Sequence, residues 1–248
     1  MATVNVLGPF RVSSRPLTLR PKDAKPPAAG GPAHAAIARW KLGEAPGVAT
    51  ADDSGGSHPG QIQGNPRWGQ GPGQTGRALE LDGAGTYVDC GDAADFDFRD
   101  GLTVSLWLKP RDLKKSAQTL VAKGSDTWSL RSEGKTGKLV FALAGPQTIG
   151  KDRKKAPRAQ SKRPVDDGQW HHVAGVYDGQ RIALYVDGEL EESVTASGPV
   201  AVNTEPLWLG NNSAARDGYF GGWLADVRLY GCGLTEGEIK ALHHETGR

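Results

Sequence analysis

The sequence predicts an all-β protein, a two-sheet antiparallel jelly-roll sandwich closed by one short C-terminal helix. Three observations predict it. Short apolar segments alternate with period two, Asp-Gly pairs punctuate them, and the 248 residues include 35 Gly and 16 Pro with 37% hydrophobic residues. That composition suits many short strands joined by tight turns and disfavours a helical bundle.

In chain order, residues 4–12 (VNVLGPFRV) read as a strand, and the RPLTLRPKDAKPPAAGGPA that follows reads as a linker, too poor in apolar residues to fill a core. Residues 1–33 are therefore an N-terminal strand-like segment with its linker, and residues 34–248 the jelly-roll domain. Leu102, Val104, Leu106 and Leu108 share one strand face, with Thr103, Ser105, Trp107 and Lys109 on the other. Ile182, Leu184 and Val186 repeat the alternation. So do Trp223, Ala225, Val227 and Leu229, with Leu224, Asp226, Arg228 and Tyr230 on the reverse. Asp82-Gly83, Asp178-Gly179, Asp187-Gly188 and Asp217-Gly218 mark tight turns, because both residue types tolerate positive φ. Two of these pairs divide the segment from Trp170 to Thr195 into a three-strand meander. Thr235 and Glu238, three positions apart, form a capping box, and Ile239 with Leu242 gives the helix they start a short apolar face.

The net charge of +2 and pI near 8.5 point to neither nucleic acid nor an anionic membrane surface, so a charge-driven partner must meet a local patch. No apolar run approaches the roughly 18 residues of a membrane-spanning helix, which predicts no membrane insertion. The two cysteines, Cys90 and Cys232, are compatible with one disulfide in an oxidising compartment and equally with two thiols.

The succession ARWKLGE, ADDSGGSHPGQIQG, GRALELDGAGTYVDCG, LTVSLWLKP, TLVAKG, DGQWHHVAGVYDGQRIALYVDGEL, LWLGNN and FGGWLADVRLYGCGLTEGEIKAL covers nearly all of residues 37–246. In that order it resembles the laminin G-like jelly-roll domains of bacterial surface and secreted proteins, within the concanavalin A-like lectin and glucanase superfamily. The resemblance implies a non-enzymatic, extracytoplasmic module that binds glycans or proteins as part of a longer protein. It also implies a structural calcium ion, with Asp52 as the loop aspartate, Asp226 as the acid of the last core strand, and the carbonyl of Gly83 beside them. In folds resembling this one, the segments of Cys90 and Cys232 run close together, so the resemblance makes a disulfide sterically conceivable.

Other residues carry chemistry independently of the resemblance. His171 and His172 are neighbours on a strand and point to opposite faces, so they do not share a metal ion. Glu80-Leu81-Asp82 is the nearest fragment to a glycosidase carboxylate row, and it runs into Gly83-Ala84-Gly85 without a third acid. Lys151, Arg153, Lys154, Lys155, Arg158, Lys162 and Arg163 crowd one segment, suited to a polyanionic polysaccharide; the plainer reading is a solvated insertion. Trp128, beside Asp126 and Thr127, is the expected exposed sugar platform, with Trp68 and Tyr219 behind it and Trp40, Trp170 and Trp223 assigned to the core. Carbohydrate binding is thus the expected function, a structural or protein-adhesion domain the alternative, and a glycoside hydrolase the least supported reading.

Overall fold

The computed structural model describes residues 34–43, 47–73, 76–114, 117–148, 157–215 and 218–246. The expected N-terminal strand and linker, the basic residues Lys151, Arg153, Lys154 and Lys155, and Asp217 of one turn pair lie outside the described residues.

The first strands are β1 (Ala38–Trp40), β2 (Ala49–Thr50), β3 (Gly60–Gln63), β4 (Arg67–Gln70), β5 (Arg77–Asp82), β6 (Tyr87–Asp89), β7 (Leu102–Pro110), β8 (Thr119–Lys123) and β9 (Trp128–Ser132). There follow β10 (Leu139–Leu143), β11 (Gln147–Thr148), β12 (Arg158–Gln160), β13 (His171–Tyr177), β14 (Arg181–Val186), β15 (Glu189–Ser197), β16 (Leu207–Leu209), β17 (Gly221–Tyr230) and helix α1 (Glu236–Thr246). They form two antiparallel sheets, as expected. One has nine strands in the order β11-β15-β14-β13-β7-β17-β5-β4, with β1 added on β17; the other has eight, in the order β12-β10-β9-β8-β16-β6-β3-β2.

Leu102, Val104, Leu106 and Leu108 of β7 meet Leu130, Phe141 and Leu209 of the opposite sheet in one continuous core. Alternation of side chains along each strand puts these residues on the inner faces and burial in the shared layer holds the sheets together. The meander appears as β13, β14 and β15. Its second turn is a two-residue loop in which Asp187 (φ 54°) and Gly188 (φ 80°) both take left-handed backbone between the paired Val186 and Glu189. This is the turn that an Asp-Gly pair favours. The tight turn at Asp82-Gly83 does not close a hairpin: β5 and β6 belong to different sheets, so this turn carries the chain across the sandwich.

The uniform alternation expected for β17 also needs correction. A bulge between Ala225 and Arg228, with Asp226 at φ 49°, shifts the phase by one residue. Leu224, Val227 and Leu229 therefore face the core, whereas Trp223 and Ala225 lie on the outside of the sheet. No disulfide joins Cys90 and Cys232.

Helix α1 starts at the expected capping box: Thr235 N donates to Glu238 Oε2 (2.8 Å) and Glu238 N to Thr235 Oγ1 (3.3 Å). Ile239, Leu242 and Leu234 pack on Ala174, Val176, Tyr185 and Tyr230, so α1 covers one end of the outer face of the nine-stranded sheet. Among the described residues, no helix is long and apolar enough to cross a membrane.

The two adjacent histidines do point to opposite faces. His171 hydrogen-bonds Asp187 (2.9 Å) and Asp167 (3.0 Å), which raise its pKa against the opposing effect of burial. His172 is enclosed against Ser105 (2.8 Å), and burial, reinforced by His243, lowers its pKa to about 3. Its effect on stability has a definite sign. A folded pKa below the unfolded value leaves stability intact above about pH 6.5, and it is lost at about 1.4 kcal/mol per unit as pH falls toward 3. The raised pKa of His171 adds no slope below pH 6.5, because its stabilisation is fully present there. Urea denaturation is therefore expected to show about 2 kcal/mol less stability at pH 4.5 than at pH 6. His172→Gln should flatten that slope, and an unchanged slope in the variant refutes the assignment.

Candidate functional site

The outer face of the nine-stranded sheet has a covered end and an open end. At the boundary the Trp107 ring stacks on His243 of α1, with centroids 5.5 Å apart. Beyond it, register places outward side chains of neighbouring strands side by side: Arg67 of β4 opposite Glu80 of β5, Glu80 opposite Trp223 of β17, and Trp223 opposite Lys109 of β7. Trp170, one residue before β13, extends this row, because the next residue, His171, lies opposite Leu108.

Trp223 is half-buried and packs against the cluster of Ala78, Trp107 and Ala225. Its indole lies down across Ala78 toward Gly69, where an added Cβ would stand 2.5 Å from the ring. The two small residues thus hold the ring against the sheet. Trp223 stays partly exposed, and a flat indole of this kind suits the apolar face of a sugar ring.

Beside it, Asn65, Arg67, Glu80, Asp82 and Arg111 line a cleft of about 210 Å³. That volume holds several waters at roughly 30 Å³ each, and is scaled to a small polar ligand or one unit of a larger one. Arg111 donates to Glu80 across the cleft. Asp82 Oδ1 accepts the backbone N–H groups of Ala84, Gly85 and Thr86, each at 2.9 Å. Burial would raise the Asp82 pKa, but these donors outweigh it and hold the carboxyl at about 2. A carboxylate fixed in that way is a poor general acid, and its strand neighbour Glu80 is engaged by a guanidinium. The arrangement suits hydrogen bonding to hydroxyls and charge pairing, not proton transfer.

Of the residues expected to hold calcium, Gly83 stands apart, and Asp52 and Asp226 are both engaged around Arg39. Asp52 Oδ1 accepts from Arg39 N (3.0 Å), Ser54 N (2.9 Å) and Ser54 Oγ (2.6 Å), and its Oδ2 from His58. Asp226 lies between the guanidiniums of Arg39 (2.7 Å) and Arg228 (3.0 Å). Burial pushes its pKa up, but the two cations prevail and hold it at about 2. Gly83 packs on Gly221, five strand positions from Asp226, a separation of ~17 Å at about 3.4 Å per residue. These three residues do not fit one coordination sphere: protein donors already engage both carboxylates, and the glycine is remote. Among the described residues, no group of three or more His, Cys, Asp or Glu side chains is placed to hold a metal ion.

Trp128 is not an exposed platform. It is 2% exposed, with its ring 6.2 Å from that of Phe98, because its side chain points inward from β9 into the core. Of the basic segment, Arg158 pairs with Glu133 (2.9 Å) and Arg163 with Asp187 (2.9 Å) and Glu191 (3.3 Å), while the backbone N of Lys162 donates to Glu191 (2.7 Å). The Lys162 and Arg163 contacts tie the segment's C-terminal end to the meander, and Arg158 joins it to the end of β9.

Sequence reasoning missed Trp223 as a surface residue and did not connect it with Glu80. The signal lay in the Ala-Asp-Val step of GGWLADVRLY, where an Asp in left-handed backbone reverses which residues face outward.

A laminin G family model, described as the concanavalin A-like lectin/glucanases superfamily, matches residues 82–240. The basement membrane-specific heparan sulfate proteoglycan core protein of Mus musculus is 41% identical over 51 residues, a match that takes in 20% of this chain and 1% of that protein. Among solved structures, the binding domain of Paraclostridial Mosquitocidal Protein 1 superposes with a TM-score of 0.66 at 15% identity, covering 85% of this chain and 52% of that one. Domain 4 of AbnA, a GH43 extracellular arabinanase from Geobacillus stearothermophilus in complex with arabinotriose, gives 0.60 at 21% identity over 85% of this chain and 98% of that one. The binding domain of botulinum neurotoxin DC, in complex with rat synaptotagmin II, gives 0.63 at 13% identity over 86% and 52%. At these identities the likeness to the solved structures is one of fold.

Proposed function

The chain belongs to the laminin G-like family of the concanavalin A-like lectin/glucanases superfamily, and from that premise we propose that it is a non-catalytic carbohydrate-binding module of a larger extracytoplasmic protein. The observation that carries this reading is the cleft of Asn65, Arg67, Glu80, Asp82 and Arg111 lying beside a flat, half-buried Trp223. Sugars are bound by this combination: an aromatic surface takes the C–H face of the ring, and fixed charged groups bond its hydroxyls. The arabinotriose complex of the AbnA domain supports the reading through a shared fold. A non-catalytic role is supported because the Asp82 carboxyl, held at about 2, cannot serve as a general acid at neutral pH, and Glu80 beside it is engaged by Arg111.

The protein-adhesion alternative has less on this surface to recommend it. Among the described residues the exposed large hydrophobics are Val48, Leu190 and Val202, on three separate segments rather than one patch.

Glycan-array screening followed by calorimetry tests the proposal. Trp223→Ala is expected to weaken binding tenfold or more, about 1.4 kcal/mol, with its thermal melt as the folding control. Silence on every glycan, or unaltered affinity in a folded Trp223→Ala, sinks it.

A further inference from the structure

Resting on the carbohydrate reading, we infer that the ligand is a linear acidic polysaccharide, bearing uronate or sulfate groups, that crosses the strands along the row Arg67, Glu80, Trp223, Lys109 and Trp170.

The direction follows from register and obstruction. Arg67 to Lys109 spans three strand spacings, ~14 Å, and Trp170 lies about one spacing further, ~19 Å, at roughly 4.8 Å per spacing. A row of that length accommodates successive units of a chain better than a single sugar. Along the strands, the path is closed on one side by Trp107 stacked on His243 of α1. Across them, the row crosses the open end of the sheet.

The charge follows from which groups are already engaged. The acids of this face are already engaged: Glu80 is paired with Arg111, and Asp82, which keeps its negative charge, is held by three backbone N–H groups. Arg67 and Lys109 have no ion-pair partner among the described residues. Arg67 and Lys109 outweigh the one carboxylate without a cation, Asp82, so the charge left for a ligand to meet is positive, with Lys109 next to Trp223 on one side and Arg67 two strands away on the other. The Arg67 guanidinium lines the cleft, where its planar fork matches a carboxylate or sulfate, while the Lys109 ammonium stands between the two indoles of the row. A polymer with a repeating anion would set sugar faces on Trp223 and Trp170 and its acid groups on the cations beside them.

Calorimetry with matched pairs of probes tests this: polygalacturonate against its methyl ester, and dextran sulfate against dextran. The expected result is that an acidic member binds, that its neutral counterpart binds at least tenfold more weakly, and that the preference shrinks as salt is added. Arg67→Gln with Lys109→Gln should cost about tenfold in affinity for the acidic probe while the melting temperature is kept. Trp170→Ala should weaken a long oligomer and leave a disaccharide unaffected. Equal binding of neutral and acidic forms overturns the inference and leaves the carbohydrate reading standing. So does loss of binding on neutralising the basic residues of 151–163 but not on neutralising Arg67 and Lys109. No binding by any probe, together with silence on the glycan array, overturns both.

Discussion

Replacing Lys123 with methionine is expected to cost about 3 kcal/mol of folding stability in urea denaturation. Lys123 closes β8 with an ammonium that is 1% exposed, and it is the most deeply buried cation among the described residues. Its Nζ donates to Asp92 Oδ1 (2.6 Å), Glu205 O (2.8 Å) and Asn203 O (3.2 Å), with the Asp97 carboxylate at 3.7 Å. One charge thereby joins the loop after β6 to the loop before β16, and fills an oxygen-lined hole that methionine would occupy without a donor. Breaking a buried pair by removing one partner costs roughly 3–5 kcal/mol. The lower end applies here, because Asp92 and Asp97 are 37% and 35% exposed and regain water once the ammonium is gone. Lys41→Met is the natural contrast. It breaks a pair with Asp53 in which the side chains are 54% and 29% exposed, and should cost no more than about 1 kcal/mol. If the two substitutions cost the same, Lys123 is not acting as a buried pin.

The sandwich was legible because its signals are local. Period-two alternation in β7 and β14, the Asp187-Gly188 turn and the Thr235–Glu238 box each depend on a few adjacent residues, and each appears where the sequence placed it. The binding face was not legible, for two physical reasons. Trp128 looked exposed by its polar neighbours, yet inward or outward orientation is set by the strand's pairing partner, not by adjacent residues. Trp223 looked buried because the alternation of β17 was read straight through Asp226, where the backbone adds a residue. The family resemblance identified Asp52 and Asp226 as acids of consequence. Their consequence here is to hold β1: Arg39 gives its N–H to Asp52 and its guanidinium to Asp226.

That clasp underlies the second large effect, an expected loss of about 4 kcal/mol in Asp226→Ala. The carboxylate balances two guanidiniums at once, and the Arg228 side chain, 6% exposed beneath α1, has little access to water if its partner goes. Glu245 at 2.9 Å from Arg228 offsets part of the cost. Alanine also inherits a left-handed φ of 49°, which an aspartate tolerates better and which glycine adopts freely. Asp226→Gly should accordingly be about 1 kcal/mol less damaging than Asp226→Ala, although it removes the same charge. Because Arg39 loses its anchor in both variants, hydrogen exchange at the β1 amides should accelerate before that of β13 or β14. A stability near wild type in Asp226→Ala would mean that the two arginines do not depend on this carboxylate, and that β1 is held on β17 by backbone pairing alone.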